Sequence, residues 1–399
     1  MVDLIGCATR EEMIELLAQR AKTATPDEWI LAHGARPDGW PDPTWPSRQE
    51  LDHACDGRAV VAWCFDYHQL VGSTAALERA GINAQTRMDG GRVELDANND
   101  PTGLLIEHAA LAMWSAVPEP IEARRIELVR DACLHLESLG FVELHDLKAQ
   151  PWIGGVLSDL HSAGEIKIRS VLYPLIKDLR ETIAQSASWN SDAVRLGGGK
   201  IFVDGTFNSR TAWMLKPFAD GHPDHPCGTP MMKIAQIDRM LDICKDHGLP
   251  LAAHAIGDGA VRAMLDAIER TGCAHTGCRI EHAELIDEAD IPRFKELGAI
   301  ASLQPCHLLP DIEALNKAVP DRLHRVLPIQ ELIDSGLEPG KDLIFGSDVP
   351  IVRANPGDSI QAAVHRRRAG MDESQAINID QRISEDDAWA CFRADLSAF

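Results

Sequence analysis

PLAAHAIGDGAV (250–261), RIEHAELID (279–287), ASLQPCH (301–307) and LIFGSDVPI (343–351) share one plan. Each carries a short run that leads into a histidine or an aspartate: His254, His282, His307 and Asp348. Helix-like segments of one βα-unit length separate most of them. In a parallel barrel successive strands end on the same face, so polar residues at strand C-termini converge although far apart in sequence. Two histidines and an aspartate meeting there would suit part of a divalent-metal site.

The flanking sequence extends the alternation. The stretch 119–140 reads as an amphipathic helix stopped by Gly140, and FVELHD (141–146) as the strand after it. A helix at 154–163, the strand IKIRSVLY (166–173), a helix near 175–189 and the strand GGKIFVDG (198–205) follow. Segment 206–230 has no clear period and is expected to be a loop; a helix at 231–247 then feeds the strand at 250. Counting from 141, strands begin near 141, 166, 198, 250, 278, 299 and 342, with 59–65 or 29–33 available as an eighth. Repeated βα units without antiparallel hairpin signals indicate an α/β protein. The expected architecture is a TIM-type (β/α)8 barrel over 119–399, its completeness at strand 1 left open. Residues 1–118 form an inserted, loop-rich N-terminal α/β segment. A doubly wound sheet is the alternative, but no Gly-rich phosphate fingerprint supports it.

Within 1–118, Thr9 caps a helix over 9–23 with Glu11 and Glu12 in its first turn. WILAHGA (29–35) is strand-like, Ser47–Glu50 is a capping box, AVVAWCF (59–65) is a buried-strand run, and STAALERAG (73–81) is a helix closed by Gly81. Residues 82–103 are polar and turn-rich, and read as an excursion rather than core.

A lone histidine such as His254 is more often a packed or backbone-bonded residue than a ligand. His282, one βα unit further on at an equivalent strand end, shifts the balance toward a metal. Asp348 competes with a reading as a turn or cap before Pro350. Lys200 opens IFVDG, where burial of an unpaired ammonium is costly. It is either paired with a carboxylate such as Asp204, or a lysine whose neutral amine, favoured by burial, has reacted with CO2 to become a ligand. Those two readings stand level. His307 and Arg210 lie in loops near the same mouth, where a donor could hold a substrate carbonyl or carboxylate. The competing reading of Arg210 is a surface ion pair. His145 and His68 are further substrate-binding candidates, His145 competing with a turn or cap role.

Composition bounds the partners. The net charge of −22 argues against nucleic acid and anionic lipid, and no 18-residue apolar run is present to span a membrane. Ten cysteines are scattered without a C-x-x-C, as expected of reduced thiols. The start MVDLIGC lacks the basic and apolar regions of a secretion signal, so a cytoplasmic location is expected.

These stretches together resemble the amidohydrolase superfamily, specifically the YtcJ-like group (amidohydrolase family 3) that includes N-substituted formamide deformylases. The resemblance is carried by WILAHGA, H-x-x-x-x-S-x-A-A-L (68–77), PTGLLIE (101–107), GFVELHD, GGKIFVDGTFNSRTA, HAIGDGAV, RIEHAEL, ASLQPCH and FGSDVP, in order from about 28 to 370. It implies a TIM-type barrel and hydrolysis of a C–N bond by metal-activated water. By motif match, Lys200 would be a carboxylated bridging ligand and His254 and His282 the histidine ligands. Asp348 would be both ligand and general base. The family's first barrel strand ends in an H-x-H pair, and no H-x-H occurs in this sequence. The family's β-domain is likewise expected to be missing.

One divalent metal, zinc by first choice, is therefore expected, with a second in doubt. A homodimer, or a partner chain supplying the missing strand, is the expected assembly, and the expected substrate a small amide or formamide. The alternative is a non-catalytic or partner-dependent barrel remnant that binds a small ligand.

Overall fold

The computed structural model describes residues 1–393. The chain divides into two compact units: 1–119 with 204–232 and 311–320, and 120–203 with 233–310 and the residues from 321 onward.

The second unit holds the βα repeats. Strands Gly199–Phe202, Leu251–Ala255, Arg279–His282, Ile300–Leu303 and Leu343–Phe345 form a five-stranded sheet in that order. Every pairing in it is parallel. Glu143–Ala149, Arg169–Pro174 and Val194–Leu196 make a second parallel sheet, and a parallel bridge from Leu175 to Lys200 lies between the two. Helices such as Ile234–Asp246 and Asp258–Thr271 form the crossovers that parallel strands require. The expected strands at 141, 166, 198, 250, 278, 299 and 342 are all present, within a few residues.

Side-chain alternation sorts these strands into two faces. Leu172 faces outward, packing with Cys133, Leu157, Leu160 and Trp189. Its neighbours Val171 and Tyr173 face the other way, onto Ala252. Ala252 is in register with Lys200 and Arg279, so these two share the inner face. One step nearer the strand C-termini, Phe202, His254, Glu281 and Ser302 form the next inner row.

The first unit departs from the expectation. Its six-stranded sheet is mixed: Val2–Asp3, Ile30–Ala35 and Val60–Cys64 run parallel, while Gln69–Gly72, Pro101–Glu107 and Gly91–Leu95 join by antiparallel pairing. Hairpins do occur, and part of the supposed excursion 82–103 is strand. Both strands offered as an eighth barrel strand, 29–33 and 59–65, belong to this separate sheet. The uniform apolarity of AVVAWCF has a local cause. Val60 and Ala62 face a core of Met13, Leu17 and Leu51, while Val61 and Trp63 face Leu77, Leu105 and Met113 on the other side. The caps are as expected: Thr9 accepts from Glu12 N–H, the Ser47–Glu50 box is formed, and Gly81 is left-handed with φ +66°. Among the described residues no helix is long and apolar enough to cross a membrane.

The run Gly197–Gly198–Gly199 just before Lys200 is a packing requirement. A Cβ on Gly198 would lie 2.3 Å from the Pro250 carbonyl oxygen, which is backbone and cannot yield cheaply. Gly198→Ala is therefore expected to destabilise the protein by about 2 kcal/mol through overpacking. The midpoint of guanidinium unfolding measures this; an unchanged midpoint would show that the strand can shift.

Candidate active site

His282 is the last residue of its strand, and strict alternation would aim it away from Glu281 and the inner row. Its φ is +74°, followed by +41° at Ala283. This left-handed step is costly for residues with a Cβ and redirects the imidazole. The ring comes to 4.5 Å from that of His254 and 5.6 Å from that of His307, centroid to centroid. Asp348, three residues beyond Leu343–Phe345, also has a positive φ of +51°. One ligand atom each from His282, His307 and Asp348 lies within 4.8 Å of the others. The two histidines are buried and Asp348 is exposed. His307 also stands 3.4 Å from a Glu284 carboxylate oxygen and 3.5 Å from Asp348.

Two nitrogen donors and one oxygen donor at that spacing fit a divalent cation of borderline hardness. His254 adds a third imidazole at the adjoining strand end. Lys200 is buried on the inner face, with its Nζ 5.0 Å from the centre of the Phe202 ring. Burial lowers its pKa to about 8, an effect that the negative charges of Glu281 and Asp348 partly oppose. The residues present therefore fit a metal. His307, read from sequence as a substrate contact, stands within the ligand cluster itself.

Arg279 and Glu281 were quoted within RIEH but given no role by sequence. The Arg279 guanidinium, almost fully buried, donates to Glu281 Oε1 at 2.8 Å and to Ser302 Oγ at 3.1 Å. Its Nη1 lies 2.6 Å from His145 Nδ1. Arginine has no acceptor, so His145 Nδ1 accepts and the imidazole proton sits on Nε2, facing Glu143 Oε1 at 3.3 Å. Burial lowers the His145 pKa, against the bond to Glu143, and the Arg279 charge adds to the lowering. His145 is thus a neutral support for Arg279. Two opposite charges two residues apart, on one face of a strand that must be buried, were the signal that could have found this pair.

His68 and Arg210 belong to the first unit. His68 Nδ1 meets Glu107 Oε2 at 2.8 Å, and Glu107 Oε1 accepts from Thr211 Oγ1 at 2.5 Å. Burial alone would lower the His68 pKa, but Glu107, with Asp66 and Asp204 adding charge, raises it to about 9. Arg210 is held by Asp220 through two bonds of 2.7 and 2.8 Å, by Asp38 at 3.1 Å and by the carbonyls of Phe207 and Asn208. It ties loop 204–232 together with the ion pair expected as its competing reading.

Comparisons with known proteins bear on the family and the fold. The profile of the amidohydrolase family matches residues 1–395. YtcJ of Bacillus subtilis is 24% identical over 94% of this chain and 72% of its own length. The N-substituted formamide deformylase of Arthrobacter pascens is also 24% identical, over 94% and 72%. LONG AFTER FAR-RED 3 of Arabidopsis thaliana is 28% identical over 92% of this chain, which spans 65% of that protein. Two solved structures cover 98% of this chain and 76% of their own: uncharacterized metal-dependent hydrolases from Pyrococcus horikoshii (25% identical, TM-score 0.73) and Pyrococcus furiosus (26%, 0.68).

The chain belongs to the amidohydrolase family, and so to the hydrolases acting on carbon–nitrogen bonds. Within that family it falls in the YtcJ-like group, with a TIM-barrel-type α/β fold.

The His68–Glu107 pair yields a pH prediction. A histidine whose folded pKa is raised stabilises the fold fully below its unfolded value, near 6.5, and loses that contribution as pH rises through about 9. The stability gap between the wild type and Glu107→Gln should therefore be widest below about pH 6.5 and narrow toward pH 9. Urea unfolding across this range measures it, and a gap independent of pH would mean that His68 is neutral in the fold.

Proposed function

We propose that the protein is a metal-dependent amidohydrolase that hydrolyses the C–N bond of a small amide or N-substituted formamide. The observation that carries this reading is the convergence of His282, His307 and Asp348 beside His254, in a chain of this family. The formamide class is supported by likeness to the Arthrobacter deformylase. His254, His282 and Asp348 would hold the cation, for which zinc is the first choice. Lys200 would join them if its neutral amine takes up CO2, and His307 stands where it could replace it. A bound divalent ion supplies Lewis acidity, lowering the pKa of water and polarising the scissile carbonyl.

The chain's own residues supply the remainder. Asp348, the exposed carboxylate of the cluster, takes the proton from the attacking water and returns it to the departing amine. His307, 3.5 Å from Asp348, orients that carboxylate and can donate to the substrate carbonyl oxygen. Arg279, braced by His145, holds Glu281 in place between the two inner rows.

The test is metal content together with turnover. About one zinc, iron or manganese per chain is expected, falling severalfold in His282→Ala and Lys200→Ala. Asp348→Asn should lower kcat on formamides by about 10²- to 10⁴-fold. A folded protein that takes up no metal when supplied with metal and bicarbonate would replace this reading with that of a ligand-binding barrel without turnover.

Association with a second chain belongs to the same proposal. Glu143–Ala149 is an edge strand of its sheet and is only half-buried. Next to it in sequence Ile121, Leu128, Leu134, Leu139 and Val142 are exposed. An open strand edge preceded by exposed apolar side chains favours pairing. Light scattering should show a dimer that Leu134→Glu with Val142→Lys converts to monomer; a monomeric wild type would remove the assembly from the proposal.

A further inference from the structure

Gln304 is the Gln of QPCH, immediately after the strand Ile300–Leu303 and three residues before His307. Ser302, two residues earlier, faces inward, because its hydroxyl accepts from Arg279. Gln304 follows directly on that strand with a β-like φ of −126° and leaves the extended range only in its ψ of 78°. Alternation therefore carries its side chain to the same inner face, one row nearer the strand C-termini than Ser302 and Glu281. A Cβ placed on Gly346, two residues before Asp348, would meet the Gln304 Nε2 at 3.6 Å. The amide thus lies between the ends of two strands, one leading to His307 and the other to Asp348.

Gln304 is 4% exposed. Its Nε2 donates to the Ser302 carbonyl at 3.2 Å, which fixes which end of the amide is nitrogen, since the flipped group would set oxygen against oxygen. Its Oε1 is buried and, among the described residues, has no hydrogen-bond partner. Buried acceptors left unmade are costly, and native proteins keep them chiefly where another molecule completes them.

We propose that Gln304 Oε1 accepts the N–H of the substrate amide, making it a specificity-determining residue for amides that carry an N–H. The proposal rests on the amide reading of the site given above. It follows that the enzyme selects N-monosubstituted formamides over N,N-disubstituted ones. The latter have no N–H to offer and would press a carbon against the acceptor. An acceptor at the nitrogen side also aligns the scissile bond while His307 acts on the carbonyl oxygen.

The experiment compares formanilide with N-methylformanilide on the metal-loaded full chain, reading kcat/KM by turnover and binding by ligand-observed NMR. The variants are Gln304→Met, which removes the acceptor at similar length, and Gln304→Glu, which retains one. In the wild type formanilide should be favoured by about 5- to 150-fold, the range for one buried hydrogen bond made or left unmade. Gln304→Met should collapse that ratio toward one, and Gln304→Glu should restore most of it. A ratio unchanged in a folded Gln304→Met, with both compounds still hydrolysed, would overturn the acceptor role and leave the hydrolase reading intact. That would also be the result if a water filled the position permanently. Discrimination in binding without turnover of either compound would instead sink the hydrolase reading and uphold the acceptor. Equal handling of both compounds by the wild type, in binding and in turnover, would overturn the proposal directly.

Discussion

The geometry of the site depends on one backbone constraint: the left-handed step at His282. A parallel strand presents alternate residues to opposite faces, and Arg279 and Glu281 use the inner face for an ion pair. On that period His282 would point outward into the surrounding helices. Positive φ at His282 and Ala283 breaks the period at the strand's last residue and brings the imidazole to within 4.5 Å of His254. Asp348 follows the same rule on the final strand, leaving the ladder with φ +51°. Strain of this kind persists only where the surroundings over-determine it. Here the surroundings are a strand that is buried along its whole length.

The second condition is charge balance below the site. Lys200, Arg279 and Glu281 all lie within the inner rows, where an isolated charge would be costly. Glu281 is shared: Arg279 holds it by direct hydrogen bonds, and its charge also stabilises the ammonium form of Lys200. Burial works in the opposite direction on Lys200, with Arg279 adding to it, which is why the Lys200 pKa falls to about 8 rather than rising beside a carboxylate. His145 completes the arrangement as a neutral acceptor. Its presence lets Arg279 be buried without a second carboxylate, which would have drawn Lys200 back toward its charged form.

What the sequence made legible follows from which signals are local. Helix caps are local, and Thr9, Ser47 and Gly81 end their helices where their chemistry says they should. Buried parallel strands are continuous apolar runs between helical periods, so the βα repeats from 141 onward were legible as well. The hairpin strands Gln69–Gly72 and Gly91–Leu95 were not. The first is four residues long and reads as the tail of a loop; the second carries Arg92 and Glu94 and has no fully buried position. Nor does an apolar strand state its sheet: Ile30–Ala35 and Val60–Cys64 fit a barrel by composition and pair elsewhere. Within the site, His254 was found because it closes an apolar run, and His282 because it stands one βα unit further on at an equivalent strand end. That His307 stands 3.5 Å from Asp348 was not legible, because it lies beyond its strand, within the short helical turn Pro305–His307.

The distribution of the candidate ligands among strands bears on how the site holds its shape. Lys200, His254, His282, His307 and Asp348 come from five successive strands or their immediate extensions, and these strands form one continuous hydrogen-bonded sheet. Their relative heights are therefore set by ladder register, residue against residue: Phe202 beside His254, His254 beside Glu281, Glu281 beside Ser302. Register is strongly specified where one face is buried, because a slip of one residue would turn every inner side chain outward. The three-stranded sheet of Glu143–Ala149, Arg169–Pro174 and Val194–Leu196 supplies no member of this ligand set, only the His145 brace for Arg279. A donor set drawn from a single sheet requires the pairing of its own five strands and does not call on closure of the barrel wall on the far side. That is the physical reason these donors, far apart in sequence, converge at one end of this sheet.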